Sequence, residues 1–239
     1  DLAAARRIDP GIDALMARLQ VAAPPGAPAA AAPAEAAAPA EAAAAAPAPA
    51  GISAEDKAVC GGKKQPSLTA EVEACTRIIQ TAAAAADRAW AFSRRGTAYT
   101  DLRDFSRAIK DYSASIEIDP TSAYAFSGRG LAYYYSGELE RAIADQDRAI
   151  QLDAGFSGAY GARGYAHLKA GDSAAAKADF DAALKGRRNQ AVWLFGRATA
   201  YASLGQQSEA ESDLADARKL DPAVAATVQD LFDFKPPAP

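Results

Sequence analysis

From residue 89 to residue 224 one arrangement of apolar, small and polar positions recurs every 34 residues without an insertion. The units are 89–122, 123–156, 157–190 and 191–224. Counted within a unit, position 8 is Gly96, Gly130, Gly164 and Ala198, and position 11 is Tyr99, Tyr133, His167 and Tyr201. Position 20 is Ala108, Ala142, Ala176 and Ala210, and position 27 is Ser115, Ala149, Ala183 and Ala217. Position 15 is Gly137, Gly171 and Gly205 in three of the units, which suits the left-handed residue that ends a helix. Each unit therefore predicts two helices, over about positions 2–14 and 17–30. Positions 8 and 20 are small where the two antiparallel backbones approach, and position 27 is small for packing on the next unit. One such pair cannot bury its apolar side alone, so stacked units share a continuous core.

The flanks follow other patterns. In residues 1–21 Asp9 caps and Pro10 starts a short helix, and Ile12, Leu15, Met16 and Leu19 form one apolar stripe. Residues 22–50 hold 19 Ala and 7 Pro with no large apolar side chain. Proline interrupts any long helix there, and nothing offsets the ordering entropy. The stretch predicts a semi-extended linker spanning on the order of 90 Å at most. Order resumes in 51–88, where "SAED" has capping-box form and a helix is expected from about Leu68 to Ala86, an N-terminal half-unit with two cysteines. Residues 225–239 predict a capping helix, with Val224, Val228, Leu231 and Phe232 covering the last unit, and then a Pro-rich tail.

Composition narrows the function classes. A net charge of −4 gives no electrostatic reason to expect nucleic acid. No run of about 18 apolar residues predicts a membrane span. One His and two Cys are poor material for a metal site, and no cofactor is expected. The chain opens on Asp1, as removal of an export signal would leave it; trimming would leave the same end.

The period and the residues at its positions resemble the tetratricopeptide repeat family. Phe92, Phe126, Tyr160 and Leu194 at position 4, the Gly or Ala at 8, the Tyr at 11 and the Asp-Pro of residues 119–120 and 221–222 carry the resemblance. It covers about 89–224. Arg103 stands where Gly is the pattern, and "KGRRN" (185–189) replaces an "IELDP" type of ending, so local turn geometry is in question at both. The resemblance implies an all-α solenoid, a right-handed superhelix of helix-turn-helix repeats. It implies a concave groove lined by first helices, and binding of protein or peptide segments without catalysis. The lead-in "C…EVEACTRIIQ" is similar to the front end of exported bacterial members.

Four candidate constellations follow. Position 7 is Arg95, Arg129, Arg163 and Arg197, and position 23 is Asp111, Asp145, Asp179 and Asp213. A turn near position 15 brings these opposite each other, which predicts an Arg–Asp ladder between the helices of each unit. His167 is read as a packing residue. Cys60 and Cys75 pair in an oxidising compartment, closing a loop worth about 3 kcal/mol, or remain buried thiols in the cytosol; the likeness to exported members favours the bond. In the family's geometry Trp90, Tyr124, Leu131, Tyr134, Tyr135, Tyr165, Leu168 and Lys169 face the groove, with Tyr134, Tyr135 and Tyr165 as the main contacts.

The function so implied is a scaffold for a protein or peptide ligand, monomeric or within a hetero-complex, in the bacterial periplasm or secreted. Other readings are an accessory subunit held in an envelope enzyme or secretion complex by its N-terminal helix, and a cytoplasmic adaptor. The carboxylate-gripping version of the family carries Lys and Asn on the groove helices. Here those helices offer Ser93, Thr97, Gly128 and Ala162.

Overall fold

The computed structural model describes residues 52–63, 67–186 and 190–232. The expected helix of 1–21, the linker of 22–50, residues 187–189 of the basic turn and the Pro-rich end lie outside them. Among the described residues every regular element is an α-helix: α1 Ala54–Cys60, α2 Leu68–Thr81, α3 Ala85–Asp101, α4 Phe105–Ile118, α5 Ala123–Ser136, α6 Leu139–Leu152, α7 Ser157–Ala170, α8 Ser173–Ala183, α9 Gln190–Ser203, α10 Gln207–Leu220 and α11 Val224–Phe232. From α1 to α10 each helix packs on the next, α11 packs on α9, and first helices also touch the first helices of neighbouring pairs, which makes a solenoid.

Short polar side chains start many of these helices. Ser53, Ser67, Asp104, Ser122 and Asp172 each accept a hydrogen bond from the backbone N–H three residues on. Gly137, Gly171 and Gly205 end first helices with φ of 87°, 86° and 76°. Arg103 takes the same left-handed conformation, φ 59°, so the turn is kept at a cost of about 1 kcal/mol. Its guanidinium lies 5.7 Å above the Phe105 ring.

Two boundaries differ from expectation. The helix expected over 68–86 ends at Thr81, and Ala85 opens the next. No Gly or Pro marks the break. Ala82 and Ala84 are extended, and the Arg88 guanidinium donates to the carbonyls of Ala82 and Ala83 at 2.9 and 3.0 Å, satisfying groups the break exposes. In the third unit α8 stops at Ala183, at position 27, ahead of the basic turn.

The N-terminal pair is stapled. A disulfide joins Cys60, at the end of α1, to Cys75 in α2, with Cα atoms 4.9 Å apart. Both cysteines are buried with Ala74, Ile78 and Ala91. At the other end Val224 and Val228 of α11 are buried against the last pair. Leu231 and Phe232 lie in α11, their side chains outside the described ones.

The Arg and Asp of each unit meet. Arg95 Nε and Nη2 donate to the Asp111 carboxylate at 2.7 and 2.8 Å, and Arg129 to Asp145 at 2.7 and 2.9 Å. Arg163 reaches Asp179 at 2.9 and 2.5 Å, and Arg197 reaches Asp213 at 2.7 and 2.8 Å. The remaining nitrogen, Nη1, crosses to the preceding pair. It donates to Thr76 Oγ1 from Arg95 (2.8 Å) and to Ser113 Oγ from Arg129 (3.1 Å). From Arg163 it donates to Asp147 (2.5 Å) and from Arg197 to Asp181 (2.7 Å). The ladder thus joins units as well as closing each one. Each of the first three guanidiniums also lies over its position 4 ring, 5.5–5.6 Å from Phe92, Phe126 and Tyr160. That leaves position 4 half-buried as a cover for the charge. His167, half-buried, sits 3.8 Å from Asp179, beside the Arg163 pair.

Two outcomes check this frame. Arg129→Ala costs about 2 kcal/mol of unfolding free energy, because it strands the buried Asp145 carboxylate, whereas exposed Lys110→Ala stays within about 0.5 kcal/mol. In urea titrations Arg129→Ala and Asp145→Ala couple in a double-mutant cycle, and strict additivity would mean that the two side chains do not act together. The second outcome concerns acid. Burial pushes the Asp181 carboxyl up, but hydrogen bonds from Lys177 and Arg197 outweigh it and hold the group below the usual carboxylate value. The folded state therefore holds this proton less tightly than the unfolded chain. The stabilisation is complete above the ordinary value and is lost as pH falls through the lower, folded one. Asp181→Asn gives a shallower fall of melting temperature below about pH 4 than the parent shows.

Candidate functional site

The first helices α3, α5, α7 and α9 form one face, and two adjoining cavities lie along it. The first, about 630 Å³, is bounded by Ala86, Trp90, Ser93 and Arg94 of α3, Ser115 of α4, and Tyr124 of α5. The second, about 330 Å³, is bounded by Thr97, Asp101, Tyr112, Tyr124, Leu131, Tyr135, Ala162 and Trp193, among others. Tyr124 lines both cavities, and a hydrogen bond of 2.8 Å ties its hydroxyl to Thr97 Oγ1. Together they make a groove running from Trp90 toward Trp193.

Its ends differ. Trp90 is 36 % exposed and Tyr124 43 %, whereas the corresponding residue in the fourth unit, Val192, is buried. Tyr135 and Leu131 are half-buried, and Tyr135 stacks on Phe105 at 5.2 Å.

Tyr134 and Tyr165 correct the expectation that both stand open to the groove. Tyr134 is 2 % exposed and Tyr165 has no exposed surface. Tyr165 packs edge-on to Phe180 at 5.0 Å and donates its hydroxyl hydrogen to the Val192 carbonyl at 2.7 Å. Burial drives its own ionisation well above the ordinary tyrosine range. The reason is stacking: these rings fill the seam where first helices of successive units touch, so the next helix covers them. Lys169 is exposed, with its ammonium 4.6 Å above the Tyr134 ring. Neither Lys169 nor Leu168 is among the residues bounding the two cavities. Of the eight sequence candidates, Trp90, Tyr124, Leu131 and Tyr135 are therefore the ones brought together.

Two rings that the position count passed over complete the walls. Tyr112, at position 24, lies under α3 and α5, its hydroxyl 3.0 Å from Thr97 Oγ1. Trp193, at position 3, reaches across α7. Both depend on a missing side chain. A Cβ on Gly128 would come 2.4 Å from the Tyr112 ring, and one on Gly161 would come 2.4 Å from Trp193. Those glycines, additional to the ones at position 8, were the available signal.

Charge is sparse in the groove. Arg94 is committed to the Cys60 carbonyl (3.2 Å) and to Glu71 (3.1 Å). Asp101 lies at the lip of the second cavity with no hydrogen-bond or ion-pair partner among the described residues. It is open to solvent yet surrounded by protein on this inward-curving face, and that desolvation raises its carboxyl, with Arg94 pulling the other way. Among the described residues no group of three or more His, Cys, Asp or Glu is placed to hold a metal ion, and no helix is long and apolar enough to cross a membrane.

With this geometry the similarities to known proteins can be read. A TPR repeat model matches residues 96–136, and a tetratricopeptide repeat model matches 123–156 and 157–189. Among solved structures, a crystal structure of MamA superposes with TM-score 0.58 at 19% identity, over 70% of this chain and 95% of that one. MamA labelled AMB-1 gives 0.58 at 18% identity over 72% and 99%, and MamA labelled MSR-1 gives 0.55 at 21% over 72% and 96%. At such identities the likeness is one of fold. No curated protein matches the sequence significantly. The helix pairs and these family matches agree: residues 96–189 are tetratricopeptide repeats.

Proposed function

We propose that this protein is a non-catalytic interaction module that holds an apolar protein or peptide segment along the groove between Trp90 and Trp193. The observation that carries the reading is a pair of large aromatic side chains, Trp90 and Tyr124, left exposed beside cavities walled by further rings. Exposed aromatic surface is costly unless something covers it, and Trp and Tyr are the residues that most often anchor a bound segment. The Ser, Thr and Tyr hydroxyls around these rings supply polar contacts without a fixed charge. The repeat family, whose members serve mainly as interaction scaffolds, supports the same reading.

We place the protein in an oxidising compartment, the periplasm or the exterior of a bacterium. The Cys60–Cys75 bond supports this, since cytosolic reductants keep ordinary thiols reduced.

The groove reading predicts that Trp90→Ala, Tyr124→Ala and Tyr135→Ala, combined, abolish capture of the partner from the native source while helicity is kept. Tyr165→Ala, by contrast, costs about 3–5 kcal/mol of stability through the cavity it leaves. Partner capture that survives loss of the three rings overturns the groove as the binding face. The compartment is checked separately. Protein taken from its native source and denatured without reductant titrates no free thiol, and two thiols per chain would refute the assignment.

A further inference from the structure

We propose that in the resting protein the groove is occupied in cis by the chain's own residues 1–21, on the tether of residues 22–50. This rests on the groove being the binding face, and it adds what covers that face when no partner is present.

The point of attachment comes first. Ala54, Lys57, Ala58 and Gly61 of the first helix and its end share with Trp90 one depression of about 520 Å³. Ile52, the first described residue, precedes Ala54 by two positions. The preceding chain is thus fastened beside Trp90, at one end of the groove.

Reach follows from length. The tether has 29 residues. A flexible chain of that length has an end-to-end distance of roughly 30 Å, and its prolines extend it. Four first helices side by side, 8–10 Å apart, span roughly 30 Å. A tether matched to its span presents its end at an effective concentration on the order of millimolar. A segment of merely millimolar intrinsic affinity would then be bound about half of the time, and a tighter one for more of it.

Chemistry selects the segment. Ile12, Leu15, Met16 and Leu19 form its apolar stripe, and Arg18 flanks that stripe at helical spacing. A helix that short is unstable in water by itself and gains order by docking. The groove offers Leu131, Tyr135 and exposed Trp90 to the stripe, and Asp101, unpaired at the lip, to Arg18. An outside partner then has to displace the segment.

The sequence supplies the reporter. It holds two tryptophans, Trp90 and Trp193; both border the groove, and neither lies in residues 1–50. The test is acrylamide quenching of tryptophan emission in the full chain. Leu15→Glu with Leu19→Glu raises the quenching constant, because the Trp90 indole is uncovered while Trp193, buried among the repeats, stays shielded in both forms. A synthetic peptide of residues 1–21, added to that variant, lowers the constant again and saturates, and Asp101→Asn weakens this rescue. Equal quenching in parent and double variant overturns the proposal. Shielding that disappears on dilution also overturns it, because the segment would then come from a second copy. An unchanged melting curve shows that the variant uncovers the groove without unfolding the repeats. If quenching is equal but loss of Trp90, Tyr124 and Tyr135 still abolishes partner capture, the binding face stands and only its occupation by residues 1–21 falls.

Discussion

The guanidinium at position 7 is the constraint on which the rest depends. It places two donors on the aspartate of its own unit and a third on the preceding pair, so it sets helix pairing and unit register together. A half-buried charge is tolerable only when its donors are satisfied, and Arg offers them in a fixed planar fork that Lys lacks. That explains why Arg and Asp hold in all four units, while the acceptor across the seam varies. It is a hydroxyl for the first two arginines, Thr76 and Ser113, and a carboxylate for the last two, Asp147 and Asp181. The corresponding residue of the fourth unit is Ala215, and a fifth unit would carry Leu231 where the arginine belongs. The ladder ends where the repeats end, and the valines of α11 close the stack instead.

Putting the ladder's charges on that seam leaves few on the other side of the first helices, where Arg94 and Asp101 stand. The groove face carries rings, hydroxyls and small residues, with Asp101 as a carboxylate without a partner there. Its depth is uneven because successive units fill it differently. Position 2 passes from exposed Trp90 and Tyr124 through Gly158 to buried Val192. Gly161 of the third unit admits Trp193 from the fourth. The open end therefore lies toward the N-terminus, where a bound segment gains most by covering aromatic surface.

The repeat frame was legible because it rests on residues with few substitutes. Gly at position 15 meets a left-handed backbone, small residues at 8 and 20 meet a close crossing, and Arg with Asp meets a bidentate pair. The groove was legible only in part. Within one helix, positions 9 and 12 look as available as position 13. Whether Tyr165 and Tyr134 are covered is decided by how tightly the next first helix leans on them, which is a property of the superhelix and not of the helix. Tyr112 and Trp193 were missed for the complementary reason, since each reaches a neighbouring unit through a glycine whose vacancy has meaning only once the units are stacked. The break at 82–84 left no mark in an unbroken alanine run, because its stabiliser, Arg88, lies further along the chain.

The N-terminal pair connects the staple to the groove. A first helix of seven residues buries too little surface to hold its partner by packing alone. The Cys60–Cys75 bond supplies what its length does not, by restricting the unfolded chain. Held there, the Cys60 carbonyl accepts from Arg94, whose side chain also pairs with Glu71 and walls the first cavity. Burial pushes the Glu71 carboxyl up while Arg94 pulls it down, so this arginine anchors a group that would otherwise resist ionisation. Loss of the disulfide would therefore act beyond α1. It would release the carbonyl that positions Arg94 and, with it, the wall beside Trp90. The redox state of the compartment and the shape of the binding face are linked through one side chain.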